Sequence, residues 1–304
     1  MKEIVFLDRE TKKITQEKVY GEACLQALYG DSFFSKILEK TMLPLLSKYP
    51  FASKLYGALQ KSSFSKKKVK PFIKDFEMDS SEFLDSVDSF GSFNEFFIRK
   101  LKPGARKIVT GRDVAILPAD ARYLVYPNIE KSEGFLVKGK KFTLENFLQS
   151  KELAAKYAQG SMLIARLCPT DYHRFHFPFN CMPSSSELIN GYLYSVNPIA
   201  LRKRIEIFSE NKRELTTLRT QQFGEVIFVE VGATNVGSIH QTFTPEEPYA
   251  KGDEKGYFSF GGSSLVLLFE PGKIQFDQDL VDASAERIEV RGLMGQSLGR
   301  ALSL

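Results

Sequence analysis

Two of the chain's three histidines fall within four residues, in Asp171-Tyr172-His173-Arg174-Phe175-His176-Phe177-Pro178. Imidazole titrates near neutral pH, so such a pair suits a general base beside a group that polarises a substrate. The same rings could bind a metal, although no third ligand stands at a suitable spacing and no Cys pair accompanies them. They could equally be hydrogen-bonded structural groups in a loop between Pro169 and Pro178. A second candidate is Phe260-Gly261-Gly262-Ser263-Ser264-Leu265, set between two apolar runs. Gly262 leaves its carbonyl open to attack, and the Ser263 hydroxyl can reach that carbonyl if a base takes its proton. Taken alone, Gly-Gly-Ser is ordinary turn chemistry, and it lacks the Gly-x-Ser-x-Gly spacing of a nucleophile elbow. The third candidate is Asp120, in Leu117-Pro118-Ala119-Asp120-Ala121. An acid in a short turn is commonly a cap, and it gains catalytic meaning only with a histidine to orient.

The elements around these residues divide the chain in two. After about residue 105, apolar runs of roughly four to eight residues are separated by Gly, Pro, Asn and Ser and read as strands. They lie near 115–117, 123–126, 162–167, 187–196, 225–231, 257–260 and 265–269. One helical pattern interrupts them, over 143–157, with Thr143 as its N-cap. Strands and helices do not alternate, so a doubly wound parallel sheet is disfavoured. The expected fold is α+β: amphipathic helices over 1–104, then a mostly antiparallel β catalytic domain over 105–304. At 304 residues the chain has room for a sizeable core.

The formal charge of +5 conceals a polarity. Residues 35–70 hold nine Lys and one acid, whereas 75–95 hold seven acids and no base. The basic block is also apolar, with Pro44 and Pro50 dividing it into short helices. Such a stretch can lie on a lipid surface, Lys toward anionic headgroups, or it can pack on its own domain with a solvated Lys face. Phe33, Phe34, Leu45, Leu46 and Phe51 are the candidate inserting residues. Cys24, Cys168 and Cys181 form no C-x-x-C pair, which favours a reducing compartment. The sequence MKEIVFLDRE is not a signal peptide, and no apolar run of about 18 residues is present to span a bilayer. Lys66–Lys70 comes with no helix-turn-helix or zinc-finger pattern, so no nucleic-acid role is expected.

Five segments in register resemble the phosphatidylserine decarboxylase family, of the bacterial type. They are Phe93-Asn94-Glu95-Phe96-Phe97-Ile98-Arg99-Lys100-Leu101-Lys102-Pro103-Gly104-Ala105-Arg106; Pro118-Ala119-Asp120; Tyr172-His173-Arg174-Phe175-His176-Phe177-Pro178; Val231-Gly232-Ala233-Thr234-Asn235-Val236-Gly237-Ser238-Ile239; and Gly261-Gly262-Ser263-Ser264. The resemblance covers about residues 90–275 strongly and the Lys-rich helices more loosely. Ala121 stands where the family has Gly, and Ser264 where it has Thr.

The resemblance implies a proenzyme that cuts itself between Gly262 and Ser263, giving chains 1–262 and 263–304. Asp120, His176 and Ser263 would form the cleaving triad, and Ser263 would become a covalent pyruvoyl group. Decarboxylation of phosphatidylserine to phosphatidylethanolamine would then run through a Schiff base on that group, with no pyridoxal phosphate and no metal. His173 would position the substrate carboxylate or protonate the intermediate. The implied partners are the membrane surface and a second copy of the chain in a homodimer. The implied location is peripheral, on the cytoplasmic face of the cell membrane. Two other readings are a pyruvoyl enzyme for a soluble amino acid, which the Lys-rich block disfavours, and a lipid-binding module with a decayed site. The intact Asp120, His173, His176 and Ser263 set disfavours the second.

Overall fold

The structure is a computed structural model that describes residues 4–19, 57–131, 136–137, 140–141, 143–201, 206–233, 239–261 and 263–302. Phe33, Phe34, Leu45, Leu46, Phe51 and Gly262 lie outside these residues, so the expected amphipathic helices are not placed. Among the described residues the fold is mixed, mostly sheet with few helices, and its strands are largely antiparallel.

The strands that matter here are β1 (Val5–Asp8), β2 (Ile14–Gln16), β3 (Val114–Ile116), β4 (Ala121–Tyr126), β5 (Ser161–Leu167), β6 (Arg174–His176), β7 (Glu187–Ile189), β8 (Arg213–Arg219), β9 (Glu225–Gly232), β10 (Ile239–Gln241), β11 (Glu254–Phe258), β12 (Ser263–Phe269), β13 (Ile274–Phe276), β14 (Glu289–Gly292) and β15 (Ser297–Ala301). The large sheet runs β7-β8-β9-β12-β5-β4-β14-β1-β2, with Met182–Pro183 paired off β8. Only β1 and β14 pair in parallel within it. Two three-stranded sheets, β10-β11-β6 and β13-β15-β3, and a two-stranded pair, Leu136–Val137 with Lys140–Lys141, accompany it.

β12 is at the centre and is buried along its whole length. Because both faces are covered, its sequence is a continuous apolar run rather than an alternation. Leu265, Leu267 and Phe269 join one core with Phe175, Phe228 and Ala121, while Val266 and Leu268 join another with Ile164 and Phe147. A buried ion pair ties β11 of the small sheet to β9 of the large one. Lys255 Nζ donates to Glu230 Oε1 at 2.5 Å, to Gln241 Oε1 at 2.9 Å and to Thr216 Oγ1 at 3.0 Å.

Three expectations needed correction in detail. The region 1–104 is not helical throughout, since β1 and β2 lie in it and extend the large sheet. The helix foreseen over 143–157 is two helices, Leu144–Leu148 and Lys151–Tyr157. Thr143 caps the first as expected, but Gln149 takes a left-handed φ of 52° and Ser150 caps a fresh start. The strand foreseen over 187–196 ends at Ile189. Seven of the chain's 26 phenylalanines fall in one cluster: Phe72, Phe83, Phe90, Phe93, Phe96, Phe97 and Phe260. It packs the segment before residue 101 against the residue three places before Ser263.

Candidate active site

Asp120 ends the link between β3 and β4 and is 4% exposed. Its carboxylate is taken up by Arg106. Arg106 Nε donates to Oδ1 and Oδ2 at 3.0 and 3.1 Å, and Nη2 donates to Oδ2 at 2.7 Å. The Met294 N–H adds a bond to Oδ1 at 2.9 Å. Arg106 also donates to Glu82 at 2.8 Å. This two-pronged geometry fixes the carboxylate plane as well as its charge.

His176 closes β6, and its backbone N–H donates to the Pro118 carbonyl at 2.8 Å, two residues from Asp120. Its Nδ1 lies 2.8 Å from the Gly252 carbonyl, which can only accept, so Nδ1 carries the proton of the neutral ring. Nε2 is then the lone pair, and the Tyr172 hydroxyl donates to it at 3.3 Å. Burial lowers the pKa of His176, which keeps the ring neutral and able to accept a proton at Nε2. Asp120 and His176 share no hydrogen bond here. The carboxylate acts on the ring through space, raising its pKa in partial opposition to burial.

His173 is fully buried. Its Nε2 donates to the Cys168 carbonyl at 2.9 Å, so Nδ1 holds the lone pair, buried and without a hydrogen-bond partner. Burial first, and the Arg99 charge second, push its pKa down to about 3. The ring stacks on Phe97 at 3.8 Å between centroids.

Ser263 opens β12, paired with Gly232 of β9 on one side and Leu167 of β5 on the other. Ser264 pairs with Val231 and Arg166. Both hydroxyls are buried, and neither has a hydrogen-bond partner. Successive strand residues point to opposite faces. Ser263 therefore shares the face of Leu265 and Leu267, in the same core as Ala119, Ala121 and Phe175. Ser264 shares the face of Val266 and Arg166. Arg122 of β4 pairs with Arg166, which puts Ala121 about two strand spacings, roughly 10 Å, from Ser263. The structure places Asp120 just before β4, His176 at the end of β6 and Ser263 at the start of β12, and no hydrogen bond joins the three.

The Ser264 face is charged. Arg166 donates to Glu17 and Glu289, at 2.7 and 2.6 Å, and Arg122 donates to Asp171 at 2.6 Å. The Cys168 N–H donates to Asp171 at 2.7 Å, and burial pushes the Cys168 thiol pKa up. This network braces the loop that carries His173.

Several of these supporting residues gave no sign of their roles in the sequence: Arg106 on Asp120, Tyr172 and Gly252 on His176, and Phe97 on His173. Asn94 belongs with them, since its Oδ1 accepts the Phe260 N–H at 3.0 Å just before the Gly-Gly pair. Arg106, Phe97 and Asn94 all sit in the Phe93–Arg106 segment, whose recurrence beside the other motifs was the only available signal. His240, the third histidine, bonds Ser259 Oγ at 2.9 Å and stacks on Tyr257.

The comparisons with known proteins bear on this arrangement directly. The family model described as phosphatidylserine decarboxylase matches residues 93–300. A phosphatidylserine decarboxylase proenzyme of Chlamydia caviae is 49% identical over 302 residues, covering 99% of each chain. Its counterpart in Chlamydia pneumoniae is 48% identical over 296 residues, 97% of each chain. One from Chlamydia trachomatis serovar D is 44% identical over 302 residues, again 99% of each.

The chain belongs to the phosphatidylserine decarboxylase family.

All five segments that carried the resemblance fall within the part matched by the phosphatidylserine decarboxylase model. Residues 234–238 of the Val-Gly-Ala segment lie, like Gly262, outside the described residues. Among the described residues no group of three His, Cys, Asp or Glu side chains could hold a metal ion. No helix there is long and apolar enough to cross a membrane.

Proposed function

We propose that this chain is a self-cleaving phosphatidylserine decarboxylase that acts at a lipid surface and carries a pyruvoyl group made from Ser263. The observation that carries this reading is the Ser263 hydroxyl: buried, without a partner, and directly after the Gly261-Gly262 pair. A buried hydroxyl left without a hydrogen bond is costly, and a reactive role accounts for it.

Cleavage begins with attack of Ser263 Oγ on the Gly262 carbonyl carbon. The proton passes to His176 Nε2, the lone pair of the tautomer described above. It then goes to the departing nitrogen of residue 263 as the peptide C–N bond breaks, leaving an ester. Loss of the residue 263 Cα proton expels the Gly262 carboxylate. Water then replaces the nitrogen, which leaves as ammonia, and a ketone remains. Arg106 fixes Asp120, whose charge favours the imidazolium that forms midway. Ser263 is paired on both sides, to Leu167 and Gly232, so the new chain end is held when the backbone is cut.

These residues fit the group. The strand holds residue 263 in place, and its side-chain position is enclosed. A pyruvoyl carbonyl supplies a sink for the electron pair released with carbon dioxide, which is why no pyridoxal phosphate is required. His173 offers an acceptor at Nδ1. In its neutral form it suits a substrate N–H better than a carboxylate. The lipid substrate is supported by the exposed patch before the Phe cluster, where Phe64 is 80% exposed beside exposed Lys66, Lys67 and Lys68. An aromatic side chain flanked by lysines suits the boundary of an anionic bilayer. Phe33, Phe34, Leu45, Leu46 and Phe51 would extend that surface. A homodimer and a peripheral position on the cytoplasmic face complete the reading.

The test is the intact mass of the purified protein. Two chains are expected, the second beginning with a blocked residue 263. A single chain that retains Ser263 under native conditions overturns the reading. Full activity on phosphatidylserine vesicles after deletion of 20–70 would overturn the surface role.

A further inference from the structure

The Phe93–Arg106 segment contains one residue that the function above leaves unused. Arg99 follows the short helix Phe93–Phe97 and is 5% exposed. Its guanidinium donates to the carbonyls of Phe96 at 3.3 Å, Thr170 at 3.1 Å and Asp171 at 3.2 Å. It makes no hydrogen bond to a carboxylate, and its Nε–H is buried without a partner. The rings of Phe83 and Phe96 cover it at 4.8 and 4.9 Å. A buried cation with no ion-pair partner is expensive to keep, and an apolar side chain of similar volume would pack at less cost.

What Arg99 touches is the loop that presents His173. Thr170 and Asp171 lie between Cys168, whose carbonyl binds His173 Nε2, and His173 itself. Two residues before Arg99, Phe97 stacks on His173 and meets Phe260 edge-on at 5.0 Å. Asn94 of the same helix holds the Phe260 backbone. One short segment thus grips both the histidine loop and the approach to residue 263.

We propose that Arg99 is a positioning residue for His173: it fixes the 168–173 loop so that Nδ1 is the open nitrogen of that ring, presented to the chemistry at residue 263. The claim about the ring stands on contacts alone, and its bearing on decarboxylation rests on the function proposed above, in which His173 serves the substrate. The groups around His173 all bear on its charge. Arg99 disfavours a protonated ring, the Cys168 thiol is neutral, Tyr172 is held un-ionised by burial, and Asp171 is engaged by Arg122. Asp120 attracts Arg99 through space and is itself held by Arg106.

With three histidines in the chain, nitrogen NMR of full-length protein labelled at histidine resolves each ring. In uncleavable Ser263→Ala protein, His173 (assigned with His173→Gln) should show a protonated Nε2 and a bare Nδ1, with no titration down to about pH 5. Adding Arg99→Gln should mix the tautomers or raise the ring's midpoint by about one pH unit or more. Adding Arg99→Lys, which keeps the charge, should leave the midpoint within about half a unit. In the otherwise native chain, Arg99→Gln should slow decarboxylation of phosphatidylserine by the cleaved protein about tenfold or more, and Arg99→Lys should restore part of that rate.

Unchanged His173 signals and an unchanged decarboxylation rate in Arg99→Gln overturn the proposal. So does an equal loss of rate in both variants with the tautomer and midpoint unmoved, since that marks a purely structural residue. If Arg99→Gln does not fold, Arg99→Lys decides alone, and a large shift of its His173 midpoint overturns the proposal. A native chain that never cuts defeats the functional reading, while the NMR measurement still tests the role of Arg99.

Discussion

The Gly252 carbonyl, not the Asp120 carboxylate, sets the tautomer of His176. Nδ1 donates to that carbonyl at 2.8 Å, and Asp120 spends its oxygens on Arg106 and the Met294 N–H. The ring is therefore oriented by backbone, and the acid beside it contributes charge. In the usual serine–histidine–aspartate arrangement one carboxylate does both jobs. Here they are divided between two residues, and several expectations follow from that division.

His176→Ala should leave an uncut chain, because it removes the Nε2 lone pair proposed to take the Ser263 proton. Tyr172→Phe removes only a 3.3 Å bond to Nε2 and should cut at a rate within about tenfold of the native chain. A gel time course reads both. Normal cleavage by His176→Ala would defeat the assignment of the base.

Asp120→Asn should impair both stability and cleavage. It leaves Arg106, nearly buried, without half of its counter-charge. Breaking such a pair costs about 3 kcal/mol or more. The lowered unfolding midpoint in urea and the persistence of uncut protein should appear together. If cleavage is lost while stability is kept, Asp120 acts on the reaction alone.

Ser263→Ala and Ser264→Ala should behave oppositely. The two hydroxyls leave opposite faces of β12, and only Ser263 directly follows Gly262, whose carbonyl is the proposed point of attack. Ser263→Ala should remain one chain by intact mass, and Ser264→Ala should still cut. Cleavage of Ser263→Ala at the same bond would move the nucleophile.

The buried histidines set a pH dependence of stability. The folded pKa of His173 lies near 3, below its usual 6.5, so the unfolded chain binds the extra proton between those values. The stabilisation is complete above about pH 6.5 and is lost as pH falls through that window, by up to about 1.4 kcal/mol per unit for each such ring. Urea midpoints of uncleavable protein should therefore fall from pH 7 to 5, and His173→Gln should flatten the slope. A flat native profile over that range would contradict the burial of a neutral ring.

Lys255→Met should destabilise the fold by about 3–5 kcal/mol, since it strands the Glu230 carboxylate between two sheets. Lys255→Met with Glu230→Leu should recover much of the loss. Thermal unfolding checks both. No recovery in the double variant would show that the pair is needed for more than charge balance.

The sequence by itself singled out the candidate residues and roughly where the strands run. Few histidines made the pair at 173 and 176 conspicuous, and short apolar runs between turn residues marked β4, β5, β9 and β12 to within a few residues. Local signals sufficed there, because periodicity, capping and turn chemistry act over a handful of neighbours. Even these failed where two local tendencies competed, as at Gln149, where a left-handed residue split one helical pattern into two.

Only the tertiary structure decided what each of those residues touches. Arg106 reaches Asp120 across 14 positions, Gly252 reaches His176 across 76, and Asn94 reaches Phe260 across 166. No pattern within a window encodes such pairings. They follow from strand register and from the packing of the Phe cluster, which are settled only when the whole core closes. Register also separates Ser263 from Ser264: adjacent and chemically identical in the sequence, they face different cores because a strand turns each successive side chain to the other side.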